Sequence, residues 1–145
     1  MSNYRINIEN IFAGVKVKKK PIKEFTRYLL AKEGISKAEI NIVLVDDEYI
    51  TRLNHKFLNK DSTTDVLSFS LADESNDQIE GEVYTNINQI MRQAEDYHIT
   101  FNEELNRIII HGVLHLIGFD DLTDEQKKIM TEKEDQYLTI LPTKL

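Results

Sequence analysis

This sequence has no cysteine. A disulfide scaffold and a thiolate metal site are both excluded, so any metal must be held by histidine and carboxylate. A long apolar run is missing too. No stretch approaches the ~20 residues that a membrane span requires, and no membrane association is expected. The opening MSNYRINIEN lacks the charged-then-apolar pattern of a secretory signal, so a cytoplasmic location is expected. Repeats, low-complexity tracts and linkers are absent. At 145 residues the chain has the size of one domain able to bury a real core, and 1–145 reads as a single domain. Positive charge is also short. There are 18 Lys and Arg against 25 Asp and Glu, a net charge of −7, which excludes coating nucleic acid by bulk charge. The cations are unevenly spread, however: KVKKKPIK puts five lysines between Lys16 and Lys23. By itself such a run reads as a solvated loop and helix start.

What is present reads as strands first and helices later. YRINIEN alternates and predicts a first strand. Pro21 suits the start of a helix and Gly34 the position just past its end, with Phe25, Tyr28 and Leu29 as its apolar stripe. EINIVLV is short, β-branched and nearly all apolar, as a buried strand is. Asp46 then caps a helix with Ile50, Leu53 and Phe57 on one face. DVLSFSL predicts a third strand, DESNDQ a polar loop and EGEVYTN a fourth strand. Three capping-box pairs follow: Asn86 with Gln89, Thr100 with Glu103, and Thr123 with Gln126. They open helices whose apolar residues are Ile87, Ile90, Met91 and Ala94; Leu105, Ile108, Ile109 and Leu116; and Ile129, Met130, Tyr137 and Leu138. The expectation is an α+β fold, a small four-stranded sheet packed with about five helices.

Within IIIHGVLHLIGFDD, His111 and His115 lie one helical turn apart, offset by about 40° around the axis. They project from one face and can share a divalent ion. Gly118 can end the helix and turn the chain, so that Asp120 or Asp121 comes back to the same point. This is the H-x-x-x-H-x-x-G-x-x-ligand layout of the metzincin zinc proteases. An isolated histidine pair at this spacing is often surface decoration or a core pair bonded to backbone. Here the pair, the glycine, the carboxylates and an apolar surrounding coincide, and uncompensated polar groups there are costly. His55 and His98 sit in polar contexts and read as surface residues. A peptidase would carry a glutamate beside the first histidine as general base. That place is Gly112, so a metallopeptidase is not expected.

HGVLHLIGFDD resembles the signature H-G-x-L-H-L-x-G-[YF]-D-H of the YbeY family, metal-dependent single-strand-specific endoribonucleases of ribosomal RNA maturation. The resemblance extends to Leu53 and Asn54, Lys60 and Asp61, TDVLSF from Thr64 to Phe69, GEVYTN from Gly81, and Met130 with Glu134 in a closing M-x-x-x-E helix. It implies a small mixed sheet with the metal helix packed behind it. It also implies one zinc ion per chain, ribosomal RNA precursor as substrate, and the small ribosomal subunit as partner. Asp121 stands where the family usually has its third histidine. Aspartate is a competent zinc ligand at ~2.0–2.2 Å, though Asp120 can compete for the role. Leu58 stands where the family commonly has an arginine suited to phosphate. Lys56 and Lys60 are the candidates to replace it as substrate-binding residues.

The expected chemistry is hydrolysis of RNA phosphodiesters, with metal on His111, His115 and Asp121 and Asp120 as candidate general base. The Lys16–Lys23 run is the available basic patch. The alternative is a metal-stabilised module that docks on the ribosome with little nuclease activity.

Overall fold

The computed structural model describes residues 3–71 and 77–144, with side chains through residue 140. The elements in chain order are β1 (Asn3–Asn10), α1 (Lys19–Lys32), β2 (Lys37–Val45), α2 (Asp47–Leu58), β3 (Val66–Ser70), β4 (Gln78–Asn86), α3 (Ile87–Tyr97), α4 (Phe101–Leu116) and α5 (Asp124–Lys144). The sheet has the order β1-β2-β4-β3. β1 and β4 each run parallel to β2, while β3 pairs antiparallel with β4. The fold is therefore α+β, a mixed four-stranded sheet with five helices, as expected.

Local chemistry accounts for most of the helix starts. Asp46 accepts from the Tyr49 N–H at the start of α2. Thr100 and Glu103 form the full reciprocal box that opens α4. At α5, Gln126 accepts from the Thr123 N–H while its own N–H donates to the Thr123 hydroxyl. Two ends differ from expectation. α1 begins at Lys19, so Pro21 is its third residue; an N–H is dispensable there too, because the first turn has no intrahelical acceptors. Asn86 caps α3 by accepting from Gln89 N–H, but the Gln89 side chain turns away to Gln93 and Arg92, leaving the box half made. Of the expected DESNDQ loop, Asp73 to Asn76 lie outside the described residues; Gln78 already belongs to β4.

Register decides what each sheet face buries. Ile8, Ile42, Val83 and Ser68 lie across from one another on β1, β2, β4 and β3. This face packs against α1 and α4 in the main core, with Phe25, Leu29, Ile109 and Val113 among its buried residues. The opposite face is covered over a smaller area, where Val43, Val45 and Ile50 meet Tyr49, Leu67 and Tyr84. Phe57, expected on the apolar face of α2, is 56% exposed. β3 is the edge strand, so among the described residues no further strand lies past the Phe69 ring to cover it. Met91 and Ile129 are likewise exposed. Each sits about 100° round its helix from the buried residue next to it, Ile90 or Met130.

Helix α4 lies unusually close to the sheet. A Cβ on Gly112 would stand 2.5 Å from Val83 Cγ1 and 3.0 Å from Val66 Cγ2. The approach lets the Ser68 hydroxyl on β3 donate to the Gly112 carbonyl at 2.8 Å. The helix that carries both histidines is thus clamped to the edge strand.

Candidate metal centre

α4 presents His111 and His115 from its last two turns, with side chains 20% and 24% exposed. Leu116 ends the helix, and Gly118 takes φ +111°, a left-handed value that glycine adopts without strain. The Gly118 and Phe119 N–H groups donate back to the carbonyls of His115 and Leu114. That turn returns the chain so that Asp121 Oδ2 stands 3.3 Å from His111 Nε2 and 3.5 Å from His115 Nε2. The two Nε2 atoms are 3.0 Å apart.

These distances test whether a metal fits. A tetrahedral ion with bonds of ~2.0–2.2 Å sets its ligand atoms about 3.3–3.6 Å apart. The triangle of 3.0, 3.3 and 3.5 Å is close to that face. Two imidazoles and one carboxylate are also a donor set that zinc accepts, with a fourth position left for water or substrate. His111, His115 and Asp121 can therefore hold a metal ion together.

A fourth residue completes the group. Glu134 of α5 is 6% exposed and sits 2.6 Å from His111 Nδ1, while its other oxygen accepts from Arg107 at 2.9 Å. Arg107 also reaches Asp135 at 2.7 Å. A carboxylate at Nδ1 directs the Nε2 lone pair toward the site. Burial opposes a charge on His111, but Glu134, with Asp121 and Asp65 behind it, outweighs burial and raises its pKa above the ordinary value. Sequence reasoning noted Glu134 as part of a motif and gave it no role. The signal available was its spacing, since Met130, Glu134 and Tyr137 share the buried stripe of α5.

His111, His115 and Asp121 line a cleft of about 700 Å³ between edge strand β3 and the end of α4. Asp120 is exposed and also lines the cleft. Lys56 lies beside Tyr49, Arg52 and Leu53 on α2, and Lys60 follows the left-handed cap at Asn59. Neither lines the cleft. Lys16, Lys18, Lys19 and Lys20 are exposed ahead of and along the first turn of α1. His55 is exposed and pairs with Asp61 at 2.5 Å. His98 is the exposed left-handed cap of α3. The glutamate position of a peptidase is closed by packing, because Gly112 faces Val83 with no room for a side chain.

Comparison with known proteins places the whole chain. The family model described as Endoribonuclease YbeY matches residues 6–142. A protein named Endoribonuclease YbeY from Flavobacterium psychrophilum is 37% identical over 129 residues, covering 85% of this chain and 91% of the relative. Its namesake from Carboxydothermus hydrogenoformans is 42% identical over 102 residues, 70% of this chain and 71% of the relative. The solution structure of TM1509 from Thermotoga maritima superposes with a TM-score of 0.68 at 33% identity, covering 94% of this chain and 88% of that one. With the family model spanning nearly the whole chain and relatives of this identity matched along most of their length, the chain belongs to the YbeY family.

Proposed function

We propose that residues 1–145 act as one zinc-dependent endoribonuclease domain. It cleaves single-stranded RNA during ribosomal RNA maturation and quality control, in the cytoplasm and in association with the small ribosomal subunit. The observation that carries the hydrolase reading is the convergence of His111, His115 and Asp121 on one point of an open cleft. A zinc ion bound there would polarise a phosphoryl oxygen and acidify water. Glu134 holds His111 by its Nδ1–H so that Nε2 faces the cleft. Asp120, at the cleft wall, takes the proton of the attacking water. Lys56 and Lys60 meet the phosphates in place of the arginine replaced by Leu58. The glycine at position 112 argues against peptide hydrolysis.

A second reading has its own support. Among the described residues no lysine or arginine lines the cleft, which favours a docking module with little nuclease activity. The experiment is elemental analysis of protein purified without added metal, followed by incubation with one unstructured RNA with and without chelator at fixed salt. One zinc per chain and chelator-sensitive cleavage are expected. His111→Ala and His115→Ala should each abolish stoichiometric metal, and full occupancy in either sinks the assignment. Asp121→Ala should weaken binding more than Asp120→Ala; the reverse order would exchange their roles. Leu58→Arg should raise cleavage, since a guanidinium grips phosphate bidentately, and Lys60→Ala should lower it. A metal-loaded parent that leaves RNA intact, and stays inactive with Leu58→Arg, makes the docking module the better account.

A further inference from the structure

The cleft is poorly charged for a polyanion. Asp65, Glu80, Asp120 and Asp121 line it, and no lysine or arginine does so among the described residues. A nucleic-acid strand carries one phosphate per nucleotide, so its grip must come from the surface beside the cleft.

Edge strand β3 divides that surface. Ser68 turns to the cleft side and bonds Gly112, while Phe69 turns to the other side and meets Phe57 at 5.4 Å between ring centroids. Behind them the rings continue: Phe69 to Tyr84 at 5.9 Å and Tyr84 to Tyr49 at 6.0 Å. Phe57 is the end of this ladder and is 56% exposed. The Lys56 ammonium lies over its ring face, 5.3 Å from the centroid, a cation–π contact. The chain from Phe57 to the cleft is a short pinned loop. The Lys60 N–H donates to the Asn54 carbonyl at 3.3 Å, and the buried Asn54 amide donates to the Ser62 carbonyl at 2.8 Å. The next residues along, Thr64 and Asp65, line the cleft. The nearby carboxylates are engaged elsewhere, Glu48 with Arg52 at 3.8 Å and Asp61 with His55 at 2.5 Å. Among the described residues Lys56 and Lys60 form no ion pair, so their charge is available to a ligand.

We propose that Phe57, with Lys56 and Lys60, forms a platform for single-stranded RNA. An unpaired base takes the place of the Lys56 ammonium on the ring face, Lys56 swings off to meet a phosphate, and Lys60 meets the next as the strand crosses β3 into the cleft. The proposal rests on the ribonuclease reading and adds the surface that holds the substrate. A one-sided aromatic flanked by cations suits an unpaired nucleotide, because every base has a face to stack while duplex bases hide theirs. A protein-docking patch would call for a broader apolar area; here Phe57 and Leu58 stand among Arg52, His55, Lys56 and Lys60.

The test uses the zinc-loaded full chain and a homouridine oligonucleotide. The chain has no tryptophan, so Phe57→Trp introduces a single indole at the platform. Its emission should be quenched as RNA binds. Phe57→Ala should raise KM about tenfold and leave kcat within about twofold, as expected for lost stacking that ground and transition states share. Lys56→Ala and Lys60→Ala should each reduce the slope of log affinity against log salt by about 0.7. Thermal melting of Phe57→Ala should fall only slightly below the parent, because the side chain is mostly in solvent and loses one ring contact, with Phe69. Unchanged indole emission at RNA saturation, or an unchanged KM in Phe57→Ala, overturns the platform. If Phe57→Ala keeps its KM but no longer cosediments with small ribosomal subunits, the surface is a protein-docking site and the RNA platform is wrong. A parent that cleaves while the platform variants behave normally leaves the ribonuclease reading standing alone. A metal-loaded parent that neither binds nor cleaves removes both.

Discussion

Glu134 is held from two sides, by Arg107 at 2.9 Å and by His111 at 2.6 Å, and so leaves the imidazole one orientation. Removing it would free the ring and leave the Arg107 guanidinium, which is 31% exposed, with Asp135 as its remaining carboxylate partner. Carboxylates in this position typically contribute ~10–100-fold to metal affinity, and Glu134→Ala should lose zinc by about that factor. Glu134→Gln keeps a carbonyl to accept the Nδ1–H and should lose less. Competition against a chromophoric chelator measures both. Equal affinities for parent and Glu134→Ala would mean that packing alone orients His111. The two histidines and a returning carboxylate, Asp120 or Asp121, were readable as a group from sequence because they lie in one short stretch. The partner of His111 was not readable, since Glu134 comes 23 residues later on another helix.

The contact of α4 with β3 and β4 determines where the histidines sit. Alanine at position 112 would gain about 1 kcal/mol of helix propensity over glycine. Its Cβ would meet Val83 and Val66, β-branched side chains that cannot swing aside easily, at 2.5 and 3.0 Å. Overpacking of this kind costs ~1–3 kcal/mol, so Gly112→Ala should be destabilising on balance, by about 1 kcal/mol. It should also push α4 from the strand, stretch the Ser68 hydrogen bond and lower zinc affinity. Calorimetry and zinc titration check the two effects. A variant as stable as the parent would mean that the helix and strand can separate without cost. The cap at Thr100 is a smaller lever on the same helix: Thr100→Ala removes the acceptor for the Glu103 N–H and should cost ~1 kcal/mol by denaturant melting.

Across the whole molecule, one polar junction ties the covered ends of the sheet to the helices. Asn86, fully buried at the end of β4, donates to Asp47 at 2.7 Å, to Thr63 at 3.1 Å and to the Thr64 carbonyl at 3.1 Å. Arg92 of α3 bonds Asp47 through both terminal nitrogens, at 3.0 and 2.8 Å. These bonds join α2, α3, β4 and the loop leading to the cleft. Arg92 is the largest cause of a depressed Asp47 pKa; burial opposes it, and Asn86 and Thr63 add to it. The folded carboxyl thus titrates below its unfolded value of about 3.9. Its stabilising contribution is present above that pH and is lost as pH falls through the lower folded value. Asp47→Asn should accordingly melt below the parent near neutrality, with the gap narrowing as pH falls from about 4. A gap that stays constant with pH would show that the charge of Asp47 contributes nothing.

Element identity was largely determined by the sequence itself, because it depends on neighbours along the chain. Alternation marked β1, and capping residues marked the starts of α2, α4 and α5. The i, i+4 histidines and the glycine turn are likewise local, so helix and turn geometry returned a carboxylate to them, while the choice of Asp121 over Asp120 rested on the family resemblance. What local pattern could not determine was which residues from distant segments meet. Phe57 lies at the right helical spacing to be buried, and only the position of β3 at the sheet edge leaves it in solvent. Gly112 looked like a missing general base; the tertiary structure makes it the point where α4 touches β4. Lys56 and Lys60 follow one another closely with the cleft residues Thr64 and Asp65, yet the chain turns between them and leaves the cleft lined by carboxylates. Periodicity and capping act within a few residues. The depth of a helix on a sheet, the edge of that sheet and the charge of a cleft arise from segments tens of residues apart, and only their packing decides them.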